Sequence, residues 1–435
     1  MPKVVKYPLT FLVVCILGFV IYSILFYDGK KIINEILSTT EEQLVSIDKY
    51  FVYGEHLNIQ GSLTIDDTSN IKNIKLLFRS NKYDLEYNTE YEINDNKIEF
   101  ISSKEINGGI KLDDINIDNY FILLKLEFKN SEDTKYYTMK NNTEYTSNEY
   151  YTITRNNKNN KILIDFGKNK STNKNYMSVK VKETKLDNDV YDVVIDPGHG
   201  GKDSGAVNGD YYEKDITLDY AKNLKTSLEE LGLKVKLTRD GTSEEDLGIY
   251  TIYGENGRAV IPNKVKAKYT FSIHLNSAPY NLSTGGVEVY APSLCNLDFA
   301  TLIANNIVEN ANTTYSLNEE AKVKNGVYVR TLSNEDIAVA RAEAISNGYE
   351  PYDIKPNTPY YFMIRETGGI ATNAYADGRN KLYDKNIYYD SNSGSETYLV
   401  ELGFMVSKKD LNNILENKNK YISGLTNAIK IYLDL

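Results

Sequence analysis

The sequence predicts an α/β domain, with a mostly parallel sheet and helices on both faces, preceded by one transmembrane helix and a β-rich, sandwich-like domain. Three observations predict this arrangement. Residues 7–27 contain no charged side chain, residues 51–167 contain short runs of alternating polarity, and strand and helix patterns alternate from residue 189 to the end of the 435-residue chain. Strands that alternate with helices are typical of a parallel sheet covered by helices.

The composition excludes several classes of protein. A chain of 435 residues is long enough for two or three domains, and its net charge of −10 argues against a nucleic-acid partner. The chain has only 2 cysteines, which excludes a disulfide framework and a zinc site built from cysteines.

The first 50 residues predict a membrane anchor and a stalk. Residues 7–27 have the length of one bilayer crossing, about 20 residues. A signal peptide is the alternative, but no small-x-small cleavage site follows, so we expect an uncleaved anchor. Residues 1–6 would then be cytoplasmic, although the count of flanking positive charges is nearly tied. Apolar residues at helical spacing in residues 28–50 predict a short stalk helix.

Residues 51–167 predict a β-rich accessory domain. Runs such as Ile74–Leu76–Phe78 and Ile162–Ile164–Phe166 place apolar side chains on one face at a period of two. Clusters of Asn, Asp, Gly and Ser separate these runs, as in a small β-sandwich. Residues 168–188 are polar with few apolar anchors and predict a linker, with one candidate strand around residues 177–181.

Residues 189–435 predict the catalytic domain, with an insertion around residues 290–395. Its first strand runs directly into the turn Asp-Pro-Gly-His-Gly-Gly, in which proline and glycine permit a sharp change of direction. A helix follows that ends at Gly232, because an apolar stripe at 4-3-4-3 spacing stops there. Ligand sites in open α/β sheets usually lie at such strand ends.

Four polar residues of this domain occupy positions that suit a metal or catalytic site. His199 and His274 end strands, Glu213 begins the long helix, and Glu401 lies inside an apolar strand. Two imidazoles and one carboxylate commonly hold a catalytic zinc and leave a fourth position for water. A carboxylate in a buried strand costs several kcal/mol unless it is paired or lies beside a cation, so Glu401 is a candidate base. Singly, each residue is more often structural, and Glu213 alone would be read as a helix-start carboxylate.

Four segments, residues 194–201, 213–215, 272–277 and 400–404, resemble the zinc-dependent N-acetylmuramoyl-L-alanine amidases of the type-3 amidase family. They occur in the order that the family has, and the similarity covers residues 189–435. The resemblance implies one Zn²⁺ per catalytic domain.

Carried over residue by residue, the resemblance implies that His199, Glu213 and His274 are the zinc ligands and that Glu401 is the catalytic carboxylate. The reaction it implies is hydrolysis, by zinc-activated water, of the amide between the lactyl group of N-acetylmuramic acid and L-alanine of the peptidoglycan stem peptide. Because that substrate lies outside the cytoplasmic membrane, we expect a single-pass protein of that membrane with its catalytic domain on the cell-wall side.

Two departures from the family affect the substrate groove. The first lies in the region of the family's short arginine-containing helix, where only Arg258 matches that arginine. The second is the insertion, which contains Glu366 in a Glu-Thr-Gly sequence and so offers a second candidate for the catalytic carboxylate. We prefer Glu401, since Gly403, Phe404 and a closing helix follow it in the family's manner. Asn276, Arg258 and Glu366 are then the expected groove residues.

Alternative functions remain at this stage. The same ligands could serve a zinc peptidase that acts on stem or cross-link peptides. The chain could instead be a non-catalytic wall-binding or divisome scaffold, or an enzyme that its own insertion holds inactive until a partner displaces it. The β-rich domain is the expected contact for a regulatory or divisome protein.

Overall fold

The computed structural model describes residues 33–129, 132–242, 256–277, 285–346, 348, 355–374 and 386–435. The amino-terminal half of this chain is built from strands. In chain order these are β1 Val45–Tyr53, β2 His56–Thr64, β3 Ile71–Arg79, β4 Asp84–Asn88, β5 Glu90–Asn94, β6 Lys97–Ile101, β7 Ile110–Lys111, β8 Asn119–Phe128, β9 Thr134–Tyr137, β10 Met139–Asn141, β11 Ser147–Tyr151, β12 Asn159–Lys168 and β13 Asn175–Thr184.

These strands form two sheets that share one core. The main path of the first sheet is β10-β1-β2-β6-β5, and that of the second is β11-β12-β13-β8-β3-β4. Apolar side chains at alternate positions, such as Leu57 of the first sheet and Phe78 and Ile164 of the second, are fully buried in the shared core. Apolar residues at every second position favour strands here, because they give each sheet one apolar face that packs on the other sheet.

The carboxyl-terminal half contains a third sheet and most of the helices. Its strands are β14 Val193–Pro197, β15 Val207–Asn208, β16 Tyr211–Tyr212, β17 Val235–Leu237, β18 Tyr269–Asn276, β19 Glu288–Tyr290, β20 Lys322–Lys324, β21 Val327–Tyr328, β22 Ser393–Gly394 and β23 Glu396–Phe404. Its helices are α1 Glu213–Glu230, α2 Ile261–Lys264, α3 Asp298–Ala311, α4 Asn334–Ser346, α5 Phe362–Thr367, α6 Lys408–Glu416 and α7 Lys418–Leu433.

The third sheet has the strand order β17-β14-β18-β23-β19-β21-β20. The four strands from β17 to β23 are parallel to their neighbours, whereas β19 is antiparallel to β23 and β20 is antiparallel to β21. Side chains on one face, including Phe271, Ile273 and Val400, pack with helices α1, α3, α6 and α7 into a single core. Because successive side chains of a strand alternate between faces, His274 and Glu401 belong to the opposite face.

The two halves are joined by paired backbone and by buried polar contacts. Strand β22 pairs with β1 of the first sheet, with Tyr53 opposite Gly394. The Asn107 side-chain amide donates to Glu396 Oε1 over 2.9 Å and accepts from the Asn296 amide over 2.8 Å. The base of β23, the strand that carries Glu401, is therefore anchored on the strand-rich half.

The structure corrects the predicted fold class and the predicted membrane topology. The described chain is rich in strands and has three seven-stranded sheets, so it is not a mostly parallel α/β domain preceded by a transmembrane helix. The short β19 and β20 run antiparallel, and strands this short leave too little periodicity to reveal their direction.

Within the described ranges, no helix is long and apolar enough to cross a membrane. This finding conflicts with the expected single-pass localisation, and it gives no support to the expected membrane contact through an amino-terminal helix. The segment on which both predictions rested, residues 7–27, lies outside the described residues, as do residues 1–6.

Several predicted boundaries differ from the observed elements. The stalk reaches into β1, and the predicted linker contains all of β13, in which Met177, Val179 and Val181 are buried at alternate positions. The predicted insertion around residues 290–395 includes α3, whose buried face belongs to the core of the third sheet. The lysines on the outward face of β13 gave this central strand the polar composition from which a linker was predicted. The domain boundaries themselves stay predictions.

Candidate metal and catalytic site

The turn after β14 brings one histidine to the carboxyl edge of the third sheet. His199 has φ of +59°, a left-handed conformation that non-glycine residues rarely adopt. Two glycines make room around the site. A Cβ on Gly205 would lie 2.6 Å from His199 Cδ2 and 2.7 Å from Glu213 Oε2, and one on Gly198 would overlap the His274 ring. The glycines of this stretch are therefore required by close approach to the candidate ligands.

Glu213 is held rigidly at the first position of α1. Its Oε2 accepts the Ala206 amide over 2.9 Å, and its Oε1 accepts the Leu275 amide over 2.9 Å. Burial would raise the pKa of the Glu213 carboxyl, but hydrogen bonds and charge from His199 and His274 outweigh it and hold the pKa well below the ordinary value. The residue is thus fixed as an ionised acceptor between two imidazoles.

The three predicted ligands converge on one point. Glu213 Oε1 lies 3.1 Å from His199 Nε2 and 3.2 Å from His274 Nδ1. One candidate ligand atom from each residue lies within 4.8 Å of the other two. Ligand atoms about 2.1 Å from a tetrahedral zinc are roughly 3.4 Å apart, so this donor set fits such an ion.

A residue that the sequence analysis missed orients the first histidine. Asp203 Oδ2 lies 2.8 Å from His199 Nδ1, and Asp203 Oδ1 accepts the Gly205 amide over 3.0 Å. A carboxylate on Nδ1 favours the tautomer that carries its proton there, which leaves Nε2 free to bind a metal. The signal was an aspartate four residues after the histidine, inside a glycine-rich turn.

Glu401 lies beside this cluster on the central strand. It is register-paired with His274 on β18 and with Glu288 on β19. Its carboxyl is buried, and its Oε2 has no hydrogen-bond partner among the described residues. Burial raises the pKa of Glu401 well above the ordinary carboxyl value, and the charges of Glu213 and Glu288 raise it further. A buried carboxyl group with an unused oxygen is suited to exchanging a proton with a bound molecule.

Two arginines, the buried Arg258 and the half-buried Arg239, support the turns around the cluster. Arg258 donates to the backbone oxygen of His199 and lies 3.7 Å from Asp196. Arg239, which the sequence analysis did not single out, donates to the Gly198 oxygen over 2.9 Å and to the Lys214 oxygen over 2.7 Å. Arg239 therefore ties the turn that carries His199 to the helix that begins with Glu213.

The other two predicted groove residues occupy different environments. Asn276 is half-buried on β18, two residues beyond His274, and its side-chain amide donates to Glu288 Oε2 over 2.7 Å. Glu366 is buried in α5, where its carboxylate is bound by the Arg365 guanidinium at 3.0 Å and the Asn386 amide at 2.8 Å. Both oxygens of Glu366 are thus already used within the protein.

A His/Glu/His cluster at the carboxyl edge of parallel strands, beside a buried carboxyl group, defines a candidate metal-dependent hydrolase. Comparison with known proteins agrees with this class. The family model described as N-acetylmuramoyl-L-alanine amidase matches residues 193–352. A germination-specific N-acetylmuramoyl-L-alanine amidase of Bacillus subtilis is 30% identical over 167 residues, which are 36% of this chain and 68% of the relative. The chain belongs to the N-acetylmuramoyl-L-alanine amidase family.

Two further comparisons concern parts of this region. The probable cell wall amidase LytH of Staphylococcus aureus is 38% identical over 101 residues, which are 22% of this chain and 30% of that relative. The solved structure of amidase AmiC2 of Nostoc punctiforme has 26% sequence identity and a TM-score of 0.35, and the match covers 56% of this chain and 97% of that one. The predicted family is confirmed, and the sequence similarities support the predicted class of enzyme, a peptidoglycan amidase.

Proposed function

We propose that this protein is a zinc-dependent peptidoglycan amidase that cleaves the amide between the lactyl group of N-acetylmuramic acid and L-alanine of the stem peptide. The observation that carries the proposal is the convergence of His199, Glu213 and His274, whose candidate ligand atoms lie within 4.8 Å of one another. Glu401 stands next to this cluster in register with His274. Family membership supplies the choice of substrate and bond.

A zinc ion held by His199, Glu213 and His274 would supply Lewis-acid activation of water and polarisation of the scissile carbonyl. The chain supplies the rest of the chemistry. Glu401 accepts a proton from the attacking water and delivers it to the departing amine, because its buried carboxyl has an oxygen that no described residue uses. Asp203, Arg239 and Arg258 keep the ligand-bearing turns in place, so the donor set is preorganised.

The test compares two buried glutamates. Purified protein is incubated with peptidoglycan as wild type, Glu401→Gln and Glu366→Gln, the zinc content of each is measured, and the products are identified by mass spectrometry. We expect wild type to release stem peptides with a free L-alanine amino terminus. Glu401→Gln should lower kcat by about 100- to 10,000-fold while zinc is retained, which is the usual contribution of a general acid–base group.

Glu366→Gln is the matched control, because it makes the same replacement of a carboxyl by an amide at another buried glutamate. We expect it to weaken folding through its contact with Arg365 but to leave the chemical step in place. Loss of activity only in Glu366→Gln would mean that the catalytic carboxylate is Glu366. Free amino acids or cross-link peptides as products would favour the zinc peptidase, and intact peptidoglycan with full zinc occupancy would favour the scaffold.

The expected contact of the β-rich half with a regulatory or divisome protein stays a prediction. A catalytic unit joined to that half through β22 and Asn107 is the structural context in which such a contact would act.

A further inference from the structure

A second buried glutamate next to the site has no role in the chemistry described above. Glu288 is completely buried on β19 and is register-paired with Glu401. Its Oε2 accepts the Asn276 amide and the Tyr290 hydroxyl, each over 2.7 Å, and its Oε1 accepts the Ser316 hydroxyl over 2.6 Å. Glu288 accepts in all three bonds and donates in none. A buried polar group is costly unless its hydrogen bonds are satisfied, and both oxygens of Glu288 have donors.

The bond between Asn276 and Glu288 bridges the strand that carries the candidate catalytic carboxyl. Asn276 lies on β18 and Glu288 on β19, and in the strand order β23 runs between them. The two residues therefore reach each other across β23, close to Glu401. The amide nitrogen of Asn276 is the donor in this bond, so it faces Glu288. Its amide oxygen is consequently directed away from Glu288.

We propose that Glu288 is a positioning residue for the amidase reaction, which fixes Asn276 on the face of the sheet that carries His274, with its amide oxygen placed to accept a peptide N–H of the substrate. The ligand class is an amide donor, such as the stem-peptide backbone next to the scissile bond. This inference rests on the proposed function, since it assigns a recognition contact to the same site. Glu288 itself touches neither the candidate ligands nor the substrate in this scheme.

The experiment swaps the donor and the acceptor of the hydrogen bond between Asn276 and Glu288. In Asn276→Asp, two carboxylates face each other and the bridge is lost, so we expect kcat/KM to fall by more than about tenfold, the value of one hydrogen bond to a charged group. Combining Asn276→Asp with Glu288→Gln lets the glutamine amide donate to the aspartate, while the second aspartate oxygen still accepts the substrate N–H. The double variant should recover most of the lost kcat/KM at unchanged zinc content.

Ser316→Ala is the matched control, because it removes one hydrogen bond from Glu288 but leaves the oxygen that binds Asn276. We expect its effect on kcat/KM to be less than about threefold. Tyr290→Phe removes a bond to the same oxygen as Asn276 and keeps the test usable if Glu288→Gln alone does not fold. Its effect should exceed that of Ser316→Ala and appear in KM for the peptide rather than in zinc affinity.

A second readout does not depend on activity. The side-chain amide resonances of Asn276, assigned by NMR, should shift in Glu288→Gln and in Tyr290→Phe but remain near wild type in Ser316→Ala. Unchanged resonances in Glu288→Gln, or a double variant no more active than Asn276→Asp alone, would overturn the inference. If wild type cleaves no muramoyl–alanine amide, the proposed function fails, whereas the NMR result still decides whether Glu288 orients Asn276.

Discussion

Gly54 offers a sharp test of the junction between the two halves of the protein. It lies in the two-residue loop between β1 and β2, has φ of +58°, and an added Cβ would lie 2.7 Å from Glu396 Oε2. An alanine at left-handed φ costs about 1–2 kcal/mol. The overlap with a fully buried carboxyl adds an overpacking cost of about 1–3 kcal/mol. Gly54→Ala should therefore lower the free energy of unfolding by roughly 2–5 kcal/mol.

Gly209 provides the matched control, since it has φ of +60° and no described atom lies within 4 Å of its added Cβ. Gly209→Ala should cost only the backbone part, about 1–2 kcal/mol. Urea unfolding can be followed by far-ultraviolet circular dichroism with a zinc chelator present, because metal binding would stabilise the folded state. Equal destabilisation by the two substitutions would refute the view that Gly54 makes room for Glu396.

Two further predictions concern titration and metal binding. Burial raises the pKa of Glu396 from 4.5 to about 7, so the folded state binds this proton more tightly than the unfolded chain does. The stability that this proton contributes is present below the unfolded pKa and is lost as the pH rises through about 7. Between about pH 4 and pH 8, urea unfolding should therefore show a fall in the free energy of unfolding of up to roughly 3 kcal/mol in wild type that is absent in Glu396→Gln. A parallel decline in both proteins would contradict this. Asp203→Asn should raise the zinc dissociation constant about 10- to 100-fold in chelator competition, because it loosens His199, and an unchanged constant would show that Asp203 does not orient that ligand.

The residues of the candidate site could be singled out from the sequence because they stand in locally recognisable positions. His199 follows a buried strand in a turn that requires glycine, and Glu213 begins a helix. Neighbouring residues encode both the turn and the start of the helix. The structure places these two residues and His274 together. Glu288 could have been singled out in the same way as Glu401, because it too is a carboxylate in an apolar segment, Gly286–Tyr290. The sequence analysis missed it.

The arrangement of strands could be predicted only in part. The stripe of α1 was recognisable over its full length, and its Ala221, Leu224 and Leu228 are fully buried as expected. In contrast, β19 and β22 span three and two residues, too short for any pattern to reveal their partners or directions. The sequence favoured Glu401 over Glu366 through the residues that follow Glu401, but it could not show that Arg365 and Asn386 bind the two oxygens of Glu366.

By itself, the sequence determined which residues could hold a metal and which family they indicate, because those signals lie in short stretches whose local conformation is fixed by proline, glycine and hydrophobic period. Only the tertiary structure decided that Glu401 lies between His274 and Glu288, that Asn276 reaches Glu288 across β23, and that Glu396 is buried against Gly54. These contacts join segments far apart in the chain. Their register is set by packing of the whole sheet, which no local pattern records.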